Sequence, residues 1–284
     1  MRSRLFSALK RKVWTRTFGY ASWVKHCGDF RTREAYGLIQ RPNYTYGMLR
    51  AADVARYFGY RYATVVEFGV ASGAGLMNMI GLVPQIKRET GVELRVYGFD
   101  TGRGLPPVNG YKDHPELWMA GDFAMEDRES LMRKVLNRAE IVWGDIAETV
   151  GPFTDSLEPS APLGFISVDV DIYSASKSAL QCLTGSPDKY LPAISMYFDD
   201  VSFFFANDWA GELAAINEFN EHHEMRKIGS DRSMNARRPR KAEGWYSMMY
   251  ACHVLDHDAR QNPIQRQQLT IAAHAEFMAS RNLF

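Results

Sequence analysis

The apolar and polar positions change rhythm along the chain. Leu5, Phe6, Leu9, Val13 and Trp14 recur at helical spacing among basic residues. After a polar stretch around residues 31–43, residues 46–58 predict a helix. Gly59 is its stop, because a glycine just past the last turn takes the left-handed conformation freely. From Thr64 onward, short β-branched or apolar runs alternate with longer amphipathic ones. Residues 64–68, 94–99, 140–143, 164–170 and 193–198 read as strands. Between them, 76–89, 125–138 and 174–183 read as helices, and Pro84 is expected to kink the first or shift its boundary.

Near-continuous apolar strands alternating with helices predict a parallel sheet covered on both faces. The tail departs from that rhythm. A helix over 211–223 leads to a strand at 225–228, a basic loop, and a strong strand at 245–254. Two strands with no helix between them predict an antiparallel pair at the sheet edge. The expected fold is therefore α/β: a doubly wound, mostly parallel, seven-stranded Rossmann-like sheet with an antiparallel C-terminal hairpin. A dehydrogenase-type sheet would more often continue with another helix and parallel strand. The expected organisation is a basic helical extension over 1–42, one domain over 43–257, and a helical tail over 258–284.

Composition narrows the classes. With 46% hydrophobic and 24% charged residues the chain is globular rather than disordered. A net charge of +1 gives no global attraction to nucleic acid. Cys27, Cys182 and Cys252 form no CxxC pair, which suits a reducing compartment and offers no zinc or disulfide framework. No apolar stretch reaches the roughly 18 residues of a membrane span, and the expectation is a soluble, cytoplasmic protein. One local imbalance qualifies this: residues 1–28 carry seven basic side chains and no acid before Asp29. Such a basic amphipathic stretch fits a helix packed on the domain or on a second subunit of a homodimer. It also fits peripheral contact with an anionic membrane, or an organelle presequence.

The candidate chemistry sits where strands end. Glu67-Phe68-Gly69-Val70-Ala71-Ser72-Gly73-Ala74-Gly75 leaves the first strand and enters a helix. Its glycines allow a tight turn and close backbone approach, and the helix N-terminus offers free N–H groups to an anion. The spacing is not GxGxxG, since Asn78 stands three beyond Gly75. An acid before the first glycine suits S-adenosylmethionine, whose ammonium and sulfonium groups are positive. Asp100 ends the second strand, where a carboxylate accepts both hydroxyls of a ribose. Asp145, after the third strand, is a candidate for the adenine amino group. Each has a plainer reading as a turn or cap residue.

Two further blocks belong together. Asp169 and Asp171 stand at i and i+2, on one side of an extended chain, and Asp199-Asp200 close the next strand. Adjacent strand tips lie about 4.8 Å apart, so these carboxylates would converge and call for a proton or a cation. An all-oxygen set suits Mg²⁺ better than zinc. Asp199 and Asp200 can both ligate only if the chain leaves strand geometry there. The plainer reading makes Asp199 a turn cap and Asp171 a helix cap.

Asn43-Tyr44 with Tyr46-Gly47, Glu67-Phe68-Gly69-Val70, Gly98-Phe99-Asp100 with Gly104-Leu105-Pro106, Asp169-Val170-Asp171-Ile172-Tyr173 and Asp199-Asp200 together resemble the macrocin O-methyltransferase-like enzymes, class I S-adenosylmethionine-dependent methyltransferases. The resemblance spans residues 43–254. It implies methylation of a hydroxyl on a small molecule or sugar, with Mg²⁺ held by Asp169, Asp199 and Asp200. The strand-end residues read above supply the expected cofactor contacts: Glu67, Gly69, Ser72, Gly73, Asp100 and Asp145. Asp169 or Asp171 would take the hydroxyl proton, with His114 and His222 as further candidates. The chain departs from the family in an extra-looking stretch at 184–190, expected to alter the substrate rim. It also departs at Val201, where an aromatic is usual.

The acceptor pocket is expected from the aromatic stretches 111–118 and 203–209. The basic loop 226–241, with Arg237, Arg238, Arg240 and Lys241, fits either an anionic acceptor or a solvated hairpin loop. An NAD-type oxidoreductase and a non-catalytic S-adenosylmethionine-binding protein are the rival readings. The first is disfavoured by the failed GxGxxG, the second by the four aspartates.

Overall fold

A computed structural model describes residues 19–234, 238–240 and 243–262. The basic stretch over 1–18, Arg237, Lys241 and most of the C-terminal tail lie outside the described residues.

Three helices precede the sheet: α1 (Tyr20–Cys27), α2 (Phe30–Ala35) and α3 (Pro42–Tyr57). α3 begins four residues before its apolar pattern does, because Pro42 at the first turn has a preset φ and no N–H to lose. It buries Tyr44, Met48, Ala51, Ala52 and Ala55 as one stripe. Then follow β1 (Tyr62–Phe68), α4 (Ala74–Thr90), β2 (Glu93–Asp100), α5 (Arg128–Val135), β3 (Glu140–Trp143), α6 (Ile146–Ser156), β4 (Leu163–Val168), α7 (Tyr173–Ala179) and β5 (Tyr190–Phe198). The chain closes with α8 (Gly211–His222), β6 (Arg226–Ser230), β7 (Met249–Val254) and a short α9 (Asp258–Gln261).

The strands form one sheet in the order β3-β2-β1-β4-β5-β7-β6. The first five run parallel, and β7 pairs antiparallel with both β5 and β6. This is the topology of the class I methyltransferase fold. Alternate residues face opposite layers. Val65, Phe165 and Tyr197 pack under α3 and α4, whereas Val66, Ile166 and Met196 pack against the α6–α8 side.

Several boundaries differ from expectation for identifiable reasons. Pro84 does not end α4, which runs from Ala74 to Thr90 with the proline inside it. The lost hydrogen bond to Ile80 is offset by burial of Leu76, Met79, Leu82 and Ile86. α5 starts at Arg128 because Asp127 caps it, accepting the Ser130 N–H at 2.8 Å. The 174–183 helix tightens into a 3₁₀ turn over Leu180–Leu183. α6 is masked in sequence by Gly151-Pro152 and held by its Asp145 cap. Residues Gly244–Met248 form a 3₁₀ turn rather than the first half of β7. Residues 184–190 lie at the start of β5, where Tyr190 pairs with Leu163, roughly 20 Å from the row of Asp169 and Asp199. They therefore shape the opposite rim of the sheet, not the substrate rim. Among the described residues, no helix is long and apolar enough to cross a membrane.

Candidate active site

The register of the sheet decides what meets at its C-terminal edge. Phe68 pairs with both Phe99 and Val168, and Val168 pairs with Phe198. The next residue on each strand is then Gly69, Asp100, Asp169 and Asp199, in one row. Backbone bonds extend the ladder by that residue: Gly69 N–H to Phe99 O, Asp169 N–H to Phe68 O, and Asp199 N–H to Val168 O, at 3.0–3.1 Å. A cavity of about 340 Å³ opens over this row, between the divergent loops of β1 and β4 where such folds hold ligands.

Gly69 has φ +90°, and a Cβ there would sit 1.7 Å from the Asp169 carbonyl oxygen, so only glycine fits. Beyond it, the Ala71 N–H donates to Asp100 Oδ2 at 2.7 Å, and the Gly102 N–H donates to Oδ1 at 2.6 Å. Asp100 is thereby pinned to both walls of the cavity, with lone pairs to spare. Gly73 is the N-cap of α4 and packs against the Leu131 side chain. Ser72 is exposed and lies outside the cavity lining.

Glu67 does not line the cavity; it lies buried beneath it. One oxygen accepts the Tyr44 hydroxyl at 2.6 Å, and Ser167 donates to that same hydroxyl oxygen at 2.9 Å. Its other oxygen has no protein partner. Burial pushes the carboxyl up to about 8, against the opposing hydrogen bond from Tyr44. Gly75 gives it room, since a Cβ there would overlap Glu67 Oε1 at 1.7 Å. Asp145 caps α6 through the Ala147 N–H at 2.9 Å and lines a neighbouring groove with Trp143 and Arg128. Its neighbour Ile146 is the residue that reaches the main cavity.

The acidic blocks do converge. Asp169, Asp199 and Asp200 each present an oxygen within 4.8 Å of the others. Asp199 and Asp200 occupy a turn after β5, which frees adjacent side chains to face one point. Asp171 lines the same cavity, but not by extended geometry: β4 ends at Val168, and Asp171 has φ +62°. Burial first, then neighbouring aspartates, push Asp169, Asp171 and Asp200 each up to about 7. The Tyr197 hydroxyl donates to Asp199 Oδ1, and Asp200 Oδ2 is buried with no protein partner. Three convergent carboxylates with an orphaned buried oxygen fit a hard dication in their donor chemistry.

Glu212 was not singled out by the sequence reading, yet it backs this cluster from the first turn of α8. It heads the helical stripe Glu212, Ala215, Ile216, Phe219, and an acid at the head of a buried stripe was the available signal. His114 is buried outside the cavity lining, with Nδ1 at 2.8 Å from Glu116 Oε1 and Nε2 without a partner. His222 sits on α8 beside its own helix carbonyl at Glu218, in a separate groove. In the basic loop, Arg238 is a core residue. It donates to the Glu34 carboxylate at 2.8 Å and lies over the Trp245 ring. Arg240 pairs with Glu243 at 2.9 Å. The described arginines 238 and 240 thus spend their charge internally.

Comparison with solved structures returns methyltransferases at low identity. The calicheamicin methyltransferase CalS11 matches at 19% identity and a TM-score of 0.49, over 84% of this chain and 91% of that one. The O-methyltransferase NovP matches at 17% and 0.45, over 76% and 91%. An O-methyltransferase from Bacillus cereus, in complex with S-adenosylhomocysteine, matches at 12% and 0.41, over 86% and 97%. No family model matches the chain, and no curated protein matches it in sequence.

Proposed function

We propose that this chain is an S-adenosylmethionine-dependent O-methyltransferase aided by a divalent cation. The observation that carries the reading is the single row of Gly69, Asp100, Asp169 and Asp199 under one cavity. It sets a nucleoside-binding corner beside a hard-cation corner.

S-adenosylmethionine, when bound, supplies an electrophilic methyl group on its sulfonium. Asp100 accepts the ribose hydroxyls while its own backbone donors keep the carboxylate from turning away. The Gly69 turn lets the backbone approach the ligand. Asp169, Asp199 and Asp200 would hold Mg²⁺, which supplies charge neutralisation and lowers the pKa of an acceptor hydroxyl. Asp171, on the same cavity wall, receives the hydroxyl proton.

Asp199→Ala tests this directly. It is expected to abolish metal-stimulated methyl transfer and to leave S-adenosylhomocysteine affinity within about twofold. Full turnover by the variant in chelator contradicts the cation-assisted mechanism.

A further inference from the structure

On the α3 side of the sheet, two cross-strand rows lie next to each other at its antiparallel edge. Ser195 of β5 pairs with Ala251 of β7, which pairs with Gly229 of β6. Ala193, His253 and Lys227 form the second row in the same way. Paired residues project to one face, so the first row is a floor of small side chains and the second ends in polar ones. Arg50 and Val54 of α3, with Asp231, Arg232 and Ser233 after β6, complete the lining. The result is a trough of about 680 Å³ that shares no lining residue with the cavity over the strand tips. Its Ser195 stands four residues before Asp199, roughly 13 Å back along β5.

Two independent features outline a ligand. The first is charge. Arg50, Lys227 and Arg232 line the trough against one carboxylate, Asp231, which leaves two positive charges in excess. That carboxylate is engaged within the protein. Its Oδ2 accepts the Tyr46 hydroxyl at 2.6 Å, and its Oδ1 accepts the Ser233 N–H at 2.9 Å and hydroxyl at 2.6 Å. Lys227 Nζ donates to the Asn220 carbonyl, a neutral partner that leaves its charge uncompensated, and Arg232 stands exposed. The second feature is an orphaned polar atom. Ser195 is 5% exposed, and its buried Oγ has no protein partner. Buried hydroxyls are normally paired, and this one belongs to the floor of the trough.

We propose that this trough binds a small organic phosphate with a flat body, at a site separate from the cavity over the strand tips and independent of the methyltransferase reading. A phosphate monoester carries about two negative charges near neutrality, which matches the excess of cations. Arg50 and Arg232 offer planar forks suited to its oxygens, and Lys227 adds a point charge. The row of Ser195, Ala251 and Gly229 lets a flat ring lie close to the sheet, where a polar ring atom meets the Ser195 hydroxyl. The trough falls in the range of small-molecule sites, about 300–1,000 Å³, well above what a bare phosphate fills. Within the basic 226–241 stretch, Lys227 and Arg232 thus serve a ligand, whereas Arg238 and Arg240 pair with Glu34 and Glu243.

Calorimetry on the full chain tests this with three probes: uridine monophosphate, uridine and inorganic phosphate. The nucleotide is expected to bind saturably, with uridine and phosphate each at least tenfold weaker. Arg232→Ala should weaken the nucleotide about tenfold, the scale of one charge-assisted hydrogen bond. Ser195→Ala should weaken it severalfold and melt no lower than wild type, because it removes a hydroxyl that has no protein partner. No nucleotide binding, or full affinity in either variant, overturns the site. Uridine or phosphate binding as tightly as the nucleotide overturns it as well, since one end of the ligand would then do all the work. If vesicles of phosphatidic acid in phosphatidylcholine capture the chain while the nucleotide does not bind, the cations face a lipid surface and the small-ligand site falls.

Discussion

Glu212 accepts the backbone N–H of Asp200 at 2.9 Å from a position with no solvent exposure. Its second oxygen and Asp200 Oδ2 are both buried without protein partners. Burial first, then Asp200, holds the Glu212 carboxyl well above the usual carboxylate range. Glu212→Gln keeps an acceptor for that N–H and should fold within about 1 kcal/mol of wild type. Glu212→Ala strands the N–H and should cost about 1–3 kcal/mol. The alanine variant should also bind Mn²⁺ more weakly than the glutamine one. Chemical denaturation and Mn²⁺ calorimetry separate the two; equal behaviour of both variants removes Glu212 as the support of the turn.

The same cluster sets a pH dependence. Asp169, Asp171 and Asp200 hold protons up to about 7 in the fold, against an ordinary value near 4 in the unfolded chain. The folded state then binds more protons between those limits, so stability of the metal-free protein falls as pH rises from about 4 to about 7. A dication competes with those protons. The rise in melting temperature on adding Mg²⁺ should therefore be larger at pH 8 than at pH 6, by differential scanning fluorimetry. A shift independent of pH contradicts cation binding at these carboxylates.

Asp100 is tied to two backbone donors as well as assigned to the ribose. Asp100→Ala should weaken S-adenosylhomocysteine binding tenfold or more, each decade being about 1.4 kcal/mol. Asp100→Asn, which keeps one acceptor oxygen, should fall between. Isothermal titration reads both, and an alanine variant of wild-type affinity removes Asp100 from the site.

Arg238 and Glu34 form a buried pair that joins α2 to the 230s loop. Breaking such a pair leaves a stranded charge, so Arg238→Ala should cost about 3–5 kcal/mol in urea denaturation. A surface arginine would cost almost nothing, and that result would return the loop to solvent.

The sheet was legible because buried parallel strands announce themselves as short apolar runs, and the site because those runs end in Gly69, Asp100, Asp169 and Asp199. What stayed hidden depended on tertiary context. Glu67 reads as a ligand contact, but alternation along β1 turns it into the layer under α3, where Tyr44 takes it. Arg238 reads as solvent-facing until Glu34, some 200 residues earlier in the chain, is folded against it. α6 was obscured by Gly151-Pro152, residues that usually mark turns; its cap and buried Ile146, Val150 and Phe153 outweigh them. Pro84 shows the same balance, since one lost hydrogen bond costs less than a buried helix face contributes.

The most direct measurement is calorimetric titration of S-adenosylhomocysteine into the full chain, in Mg²⁺ and then in chelator. Saturable one-to-one binding is expected in both conditions, weakened in Asp100→Ala and retained in Asp199→Ala. No binding in either condition would contradict the methyltransferase reading and leave the row of strand tips without its ligand.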